Sequence, residues 1–239
     1  DFDSDGQLVA SVLSKKIAAG STHVLIDMPV GPTAKVRSEA AAHSLGARLA
    51  HTAGALGLQL RIHRSDGSQP VGRGIGPALE AHDVLKVLRN AADAPADLRE
   101  RALALSAALL DMAPGSNAGT GLERARSVLD SGRALAKFLA ICEAQGGFRE
   151  PARAPFTADV PASASGRITE IDNRRLAKLA KLAGAPTSPT AGLETSLRVG
   201  DAVERGQPLL TLHAESPGEL AYALEHAATL QPFVLGEVP

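Results

Sequence analysis

"THVLIDMPVGPTAKVRSEAAAHSLGARLAHTAGALGLQLRIHRS", residues 22–65, decides how the rest of the chain is read. Residues 22–30, "THVLIDMPV", have the pattern of a buried strand, and Gly31 and Pro32 stop it. From Lys35 to about Leu56 alanines and leucines recur at helical spacing, and residues 58–65 alternate like a second strand. Strand, helix and strand in succession predict a right-handed βαβ unit. The expected fold class is α/β, a mostly parallel sheet flanked by helices.

Upstream, "QLVASVLSKKIAA" (7–19) sets Leu8, Val12 and Leu13 on one stripe and predicts a helix that Gly20 ends. Ser11 and Lys15 are i and i+4 on it, so their side chains leave one face about 5–6 Å apart. They offer a hydroxyl and an ammonium to a flat polar ligand such as a nucleobase or a carboxylate. Such pairs are common on solvated faces, so spacing alone does not make a site. Asp3 precedes Ser11 by eight residues, where it can serve as an acid or simply favour the helix dipole. Lys35 and Arg37 follow "PVGPT", in the turn after a strand's carboxyl end, where open α/β sheets place ligands. They read as phosphate-holding groups or as a solvated helix start.

Downstream, Asp66 and Gly67 make a turn, and "GRGIG" (72–76) runs into a helix with Pro77 near its first position. Pro77 replaces the glycine a dinucleotide fingerprint needs, and no Walker lysine follows. The loop can still approach an anion, a cation or another backbone closely. Helical stretches follow at 95–113, 120–130 and 132–145. The proline-rich "REPARAPFTADVPA" (149–162) marks a boundary inside the fold. Beyond it, "SGRITEID", "NRRLAKLAKLAG" and "GLETSLRVGDAVERGQPLLTLHAES" describe a strand, a helix and a hairpin pair, before a last helix, "ELAYALEHAATL".

Composition removes several classes of function. The 25 Lys+Arg and 26 Asp+Glu nearly cancel, so no whole-molecule field recruits nucleic acid or an anionic membrane. No apolar run reaches the roughly 18 residues of a membrane span, which with the lack of a signal peptide predicts a cytoplasmic protein. Aromatic residues are too few for base-stacking surfaces, and the single cysteine, Cys142, sits on an apolar helical pattern as a buried thiol. The seven histidines include no zinc-binding spacing, and no GxSxG motif occurs. "VGDAVERGQPLLTLHAE" has the hairpin look of biotinyl or lipoyl carriers but lacks a modifiable lysine at its tip.

"ASVLSKKIAAG" (10–20), "VLIDMPVG" (24–31), "GSQPVGRGIGPALEAHDVL" (67–85), "VLDSGRALAKFLAICEAQGG" (128–147), "GRITEIDNRRLAKLAKLAGAP" (166–186) and "AGLETSLRVGDAVERGQPLLTLHAES" (191–216) together resemble one family. It is the thymidine/pyrimidine-nucleoside phosphorylases, in the second type that includes archaeal AMP phosphorylases. The resemblance implies a pentosyltransferase that splits a nucleoside with inorganic phosphate into free base and a (deoxy)ribose 1-phosphate. It implies no organic cofactor, no nucleic-acid polymer, no membrane and a homodimer in the full-length protein. It implies a nucleoside phosphorylase/phosphoribosyltransferase-like sheet domain followed by an α+β, barrel-sandwich-like appendage.

Residue by residue, Asp3 matches the position of a proton donor to the departing base, and Ser11 and Lys15 match base-contacting helix positions. Pyrimidine-specific members carry an aromatic residue where this chain has Lys35, and a lysine where it has Pro29. AMP-type members carry a basic residue at the Lys35 position, so Lys35 with Arg37 is expected to meet a 5′-phosphate. Val71 and Gly74 carbonyls and the Asp83 carboxylate match ligands of a monovalent cation, potassium. The implied domains are a remnant of the small helical domain (1–20), the later part of the large α/β domain (21–148) and the appendage (149–239). The family's glycine-rich phosphate segment lies upstream of residue 1, so these 239 residues alone are expected to lack phosphorolysis. The readings it competes with are an AMP phosphorylase giving ribose 1,5-bisphosphate, anthranilate phosphoribosyltransferase-like chemistry with magnesium, and a non-catalytic carrier module.

Overall fold

The computed structural model describes residues 5–117 and 119–236. Asp3 lies outside them. Helix α1 (Asp5–Ala18) buries Val9 and Leu13, leaves Leu8 and Val12 half-buried, and gives way to Gly20 at φ +70°. Strand β1 (His23–Val30) leads to helix α2 (Glu39–Ala55) and strand β2 (Gln59–Asp66). β1 and β2 pair in parallel from His23–Gln59 to Val30–Asp66, the expected βαβ unit. The helix begins later than its alanine pattern suggests because Ser38 caps it, its Oγ accepting the Ala41 N–H at 3.2 Å. Residues 31–37 form a loop instead, turned back on β1 by the Gly31 N–H donating to the Val36 carbonyl at 3.0 Å.

Strand β3 (Gly74–Ile75) and helix α3 (Pro77–Leu88) follow, with Pro77 in the first helical turn. Three helices come next: α4 (Ala96–Met112), α5 (Gly121–Asp130) and α6 (Arg133–Ala144). Then run β4 (Phe156–Pro161), β5 (Gly166–Ile171), α7 (Asn173–Leu182), β6 (Gly192–Glu194), β7 (Ala202–Val203), β8 (Pro208–Ala214), α8 (Pro217–Leu230) and β9 (Phe233–Gly236). α7 is started by Asp172, whose carboxylate accepts the Arg174 and Arg175 N–H groups, and it buries Leu176, Leu179 and Ala180.

The chain divides into two compact units. One comprises Asp1–Gly67 and Arg101–Ser127, and its core gathers Val9 and Leu13 of α1, Val24 and Met28 of β1, and Leu45 and Leu49 of α2. The other comprises Ser68–Glu100 and Val128–Pro239, with Ile168, Ile171, Leu176, Leu179, Leu193, Leu212 and Ala223 at its centre. At about 25 cal/mol per Å² of apolar surface removed from water, each cluster stabilises the unit that contains it.

A mostly parallel sheet is not what forms. Besides the parallel β1–β2 pair, the described strands build two antiparallel sheets, ordered β3-β6-β8-β4 and β7-β5-β9. The reason lies in the connections. α7 joins β5 to β6 and α8 joins β8 to β9, each linking strands of different sheets, so neither acts as a crossover between parallel neighbours. Part of the proline-rich stretch becomes β4, which tolerates Pro161 because it lies at a sheet edge. No helix among the described residues is long and apolar enough to cross a membrane.

Candidate functional site

In the first unit, the expected residues lie on two elements. Ser11 and Lys15 occupy the exposed face of α1, opposite buried Val9 and Leu13. Lys35 and Arg37 project from the loop between β1 and α2, both exposed. None of the four makes a side-chain hydrogen bond or ion pair among the described residues. Two cationic side chains thus stand without counter-charge at the carboxyl end of β1, just ahead of the amino terminus of α2. Unpaired N–H groups and the helix dipole make such a terminus favourable to anions.

The same strand ends carry a polar network that pattern reading passed over. The Ser65 Oγ donates to Asp27 Oδ1 at 2.6 Å, and the Arg101 Nη1 donates to Asp27 Oδ2 at 3.2 Å and to Ser65 Oγ at 2.9 Å. Arg101 Nη2 also donates to the Asp66 carbonyl at 2.9 Å. Both carboxylate oxygens of Asp27 are therefore engaged, and Arg101 fastens α4 to both strands. The sequence signal was Asp27 itself, a carboxylate in the middle of an apolar strand, which must find partners to be tolerated there.

In the second unit, the glycine loop wraps around Asp83. This carboxylate is only 4% exposed, and its Oδ2 accepts the Arg73 N–H at 2.5 Å and the Gly74 N–H at 2.8 Å. Gly72, at φ +82°, has no room for a side chain, since a Cβ would stand 2.8 Å from Asp83 Oδ2. Gly74 is equally constrained, since its Cβ would meet the Leu79 backbone at 2.6 Å. These glycines are required by close approach rather than by a nucleotide. No ammonium or guanidinium pairs with Asp83 among the described residues. Val71, which precedes Gly72 in the chain, is half-buried.

A neighbouring pair went unnoticed in the sequence. His213 on β8 is buried, and its Nε2 lies 3.0 Å from Glu194 Oε2 on β6, close enough for an ion pair but poorly aligned for a linear hydrogen bond. The His213 ring beside Glu194 holds its carboxyl below the ordinary glutamate value, outweighing the opposing effect of burial. No group of three or more His, Cys, Asp or Glu side chains suited to a metal ion occurs among the described residues.

Residues 167–232 match the protein family described as the pyrimidine nucleoside phosphorylase C-terminal domain. Over 232 residues the chain is 62% identical to "Putative thymidine phosphorylase 2" of Acidovorax sp. (strain JS42), covering 97% of this chain and 45% of that protein. It is 61% identical over 229 residues to "Putative thymidine phosphorylase" of Polaromonas sp. (strain JS666 / ATCC BAA-500), covering 96% and 45%. With "Putative thymidine phosphorylase" of Hahella chejuensis (strain KCTC 2396) the identity is 57% over 225 residues, covering 94% and 45%. The chain thus spans less than half the length of these relatives.

Proposed function

The chain belongs to the pyrimidine nucleoside phosphorylase family, as its carboxyl-terminal part, and on that premise we propose that the longer protein cleaves nucleosides by phosphorolysis. Inorganic phosphate displaces the base at C1′, giving free base and a pentose 1-phosphate. Positive charge grows on the sugar ring and negative charge on the base, so catalysis consists of holding phosphate against the ring and stabilising the departing base. The observation that carries this reading is the likeness along nearly the whole chain to proteins bearing that name. The domains we assign are 1–20 as helical-domain remnant, 21–148 as α/β domain and 149–239 as appendage, within a cytoplasmic homodimer.

In this reading Ser11 and Lys15 meet the base, and Asp3, outside the described residues, protonates it. Lys35 and Arg37 favour a second, narrower reading, an AMP phosphorylase giving ribose 1,5-bisphosphate. Both are cationic, exposed and unpaired next to a helix amino terminus, the surroundings a 5′-phosphate needs.

Asp83 suits the family's monovalent cation. A carboxylate 4% exposed, met only by neutral N–H donors, carries charge that a potassium ion would balance. Val71 and Gly74 carbonyls would join it as ligands. When bound, the ion would supply fixed positive charge near the loop.

The test is phosphate-dependent base release by the full-length protein on a panel including thymidine and AMP, with chromatographic identification of both products. Absence of base release from every nucleoside and nucleotide would overturn the reading. Turnover of thymidine in clear preference to AMP would remove the AMP alternative.

A further inference from the structure

Arg198 lies far along the chain from the glycine loop, yet it grips that loop. Its Nη2 donates to the Gly72 carbonyl at 2.5 Å and to Asp97 Oδ2 at 2.7 Å. Arg73 makes the mirror contacts, its Nη1 donating to the same Gly72 carbonyl at 3.0 Å and to Asp97 Oδ1 at 3.1 Å. Asp97 closes the ring by accepting the Gly72 N–H at 3.3 Å. Gly72 is therefore held at both its N–H and its carbonyl, which fixes the two peptide groups that flank it. Two further bonds come from the same carboxyl-terminal segment: the Thr195 N–H to the Arg73 carbonyl at 3.0 Å, and the Val199 N–H to Gln69 Oε1 at 2.9 Å.

We propose that Arg198 is the positioning residue of the glycine loop, fixing the backbone that encloses Asp83 and thereby setting monovalent-cation binding there. The proposal rests on the cation reading of Asp83. Arg198 does not touch the ion; it acts through Gly72 and Asp97. Arginine is suited to this because its planar fork donates to a carbonyl and a carboxylate at once, whereas lysine presents a single flexible point charge. Gly72 needs such restraint. Its φ of +82° is open to glycine among many conformations, and a free loop would sample them. In this arrangement the carboxyl-terminal family domain is not a passive appendage. It supplies a side chain that holds the loop next to it in the same unit.

The experiment follows thermal unfolding of the full chain while potassium chloride replaces choline chloride at constant ionic strength, for wild type, Asp83→Asn, Arg198→Lys and Asp97→Asn. Wild type is expected to show saturable stabilisation by potassium and Asp83→Asn none. Arg198→Lys and Asp97→Asn are expected to require at least tenfold more potassium for half-saturation. A purely structural role would lower the melting temperature equally in both salts and leave half-saturation unmoved. Asp97→Asn keeps shape while weakening the clasp, so it answers the question should Arg198→Lys fold poorly. Half-saturation unchanged in a folded Arg198→Lys or Asp97→Asn protein overturns the positioning role alone. A wild type indifferent to potassium overturns the cation reading and the proposal with it.

Discussion

The Asp83 carboxylate accepts the Gly74 backbone N–H at 2.8 Å, reaching back nine residues from the second turn of α3 to the loop that precedes the helix. This bond and its twin to the Arg73 N–H make Asp83 the structural centre of the glycine loop as well as its candidate ion ligand. Replacing Asp83 by Ala strands two N–H groups. We expect a loss of about 3 kcal/mol, from roughly 1–3 kcal/mol per unsatisfied buried group, read by urea denaturation. A loss below about 1 kcal/mol would mean that the loop finds other acceptors.

Where β3 ends and β6 begins, the two segments approach so closely that glycine is obligatory at Gly76, just after β3, and at Gly192, the first residue of β6. A Cβ at Gly192 would stand 2.1 Å from the Ile75 carbonyl oxygen, and one at Gly76 would stand 2.3 Å from the Ala191 oxygen. Gly192→Ala is expected to cost more than about 3 kcal/mol, since φ +150° and the clash act together. Gly206→Ala, at φ +87° in open space, should cost only about 1–2 kcal/mol. Equal effects of the two in parallel denaturant titrations would contradict the close approach.

The Glu194–His213 pair predicts a signed pH effect. Because the folded carboxyl titrates below its ordinary value of 4.5, its stabilisation is complete above that value and disappears as pH falls through the lower folded value. Glu194→Gln should therefore be less stable than wild type near neutrality, with the gap closing in acid. Stability curves that stay parallel down through the acid limb would show that the carboxyl gains nothing from its neighbour.

Arg101 ties α4 to Asp27, Ser65 and the Asp66 carbonyl. With its side chain 19% exposed, its removal uncovers a partly buried Asp27. Arg101→Ala should cost about 2 kcal/mol, and Arg101→Lys should restore only part of that, because one ammonium cannot match the fork. Full recovery in the lysine variant by denaturant titration would reduce the contact to simple charge.

For the full-length protein, Lys35→Ala separates the two substrate readings. Loss of a charge-assisted bond to a 5′-phosphate is worth about 1.5–3 kcal/mol, so KM for AMP should rise roughly 10- to 100-fold while thymidine kinetics stay unchanged. Equal damage to both substrates would remove the 5′-phosphate role.

Much of the local structure was legible. Val24 and Met28 in an apolar run, Gly20 after α1 and Pro77 at the start of α3 announce their elements because helix, strand and stop signals act within a few residues. Asp27 could have been noticed as an acid in an apolar strand, but Ser65 and Arg101 could not. Their meeting depends on the register of β1 against β2 and on where α4 lies. β3 and β9 escaped for a related reason: two- and four-residue strands carry too little periodicity to read.

What the amino-acid order determined by itself was the run of helices and strands, the glycines of the loop and the family those segments resemble. Tertiary structure decided the strand partners, and so made two of the three sheets among the described residues antiparallel. It also decided that Asp83 meets backbone N–H groups while Arg73 and Arg198 share Asp97. Local propensity is set by neighbours along the chain. Pairing and charge compensation between distant residues are set by which apolar faces must be buried together, and only the folded core settles that.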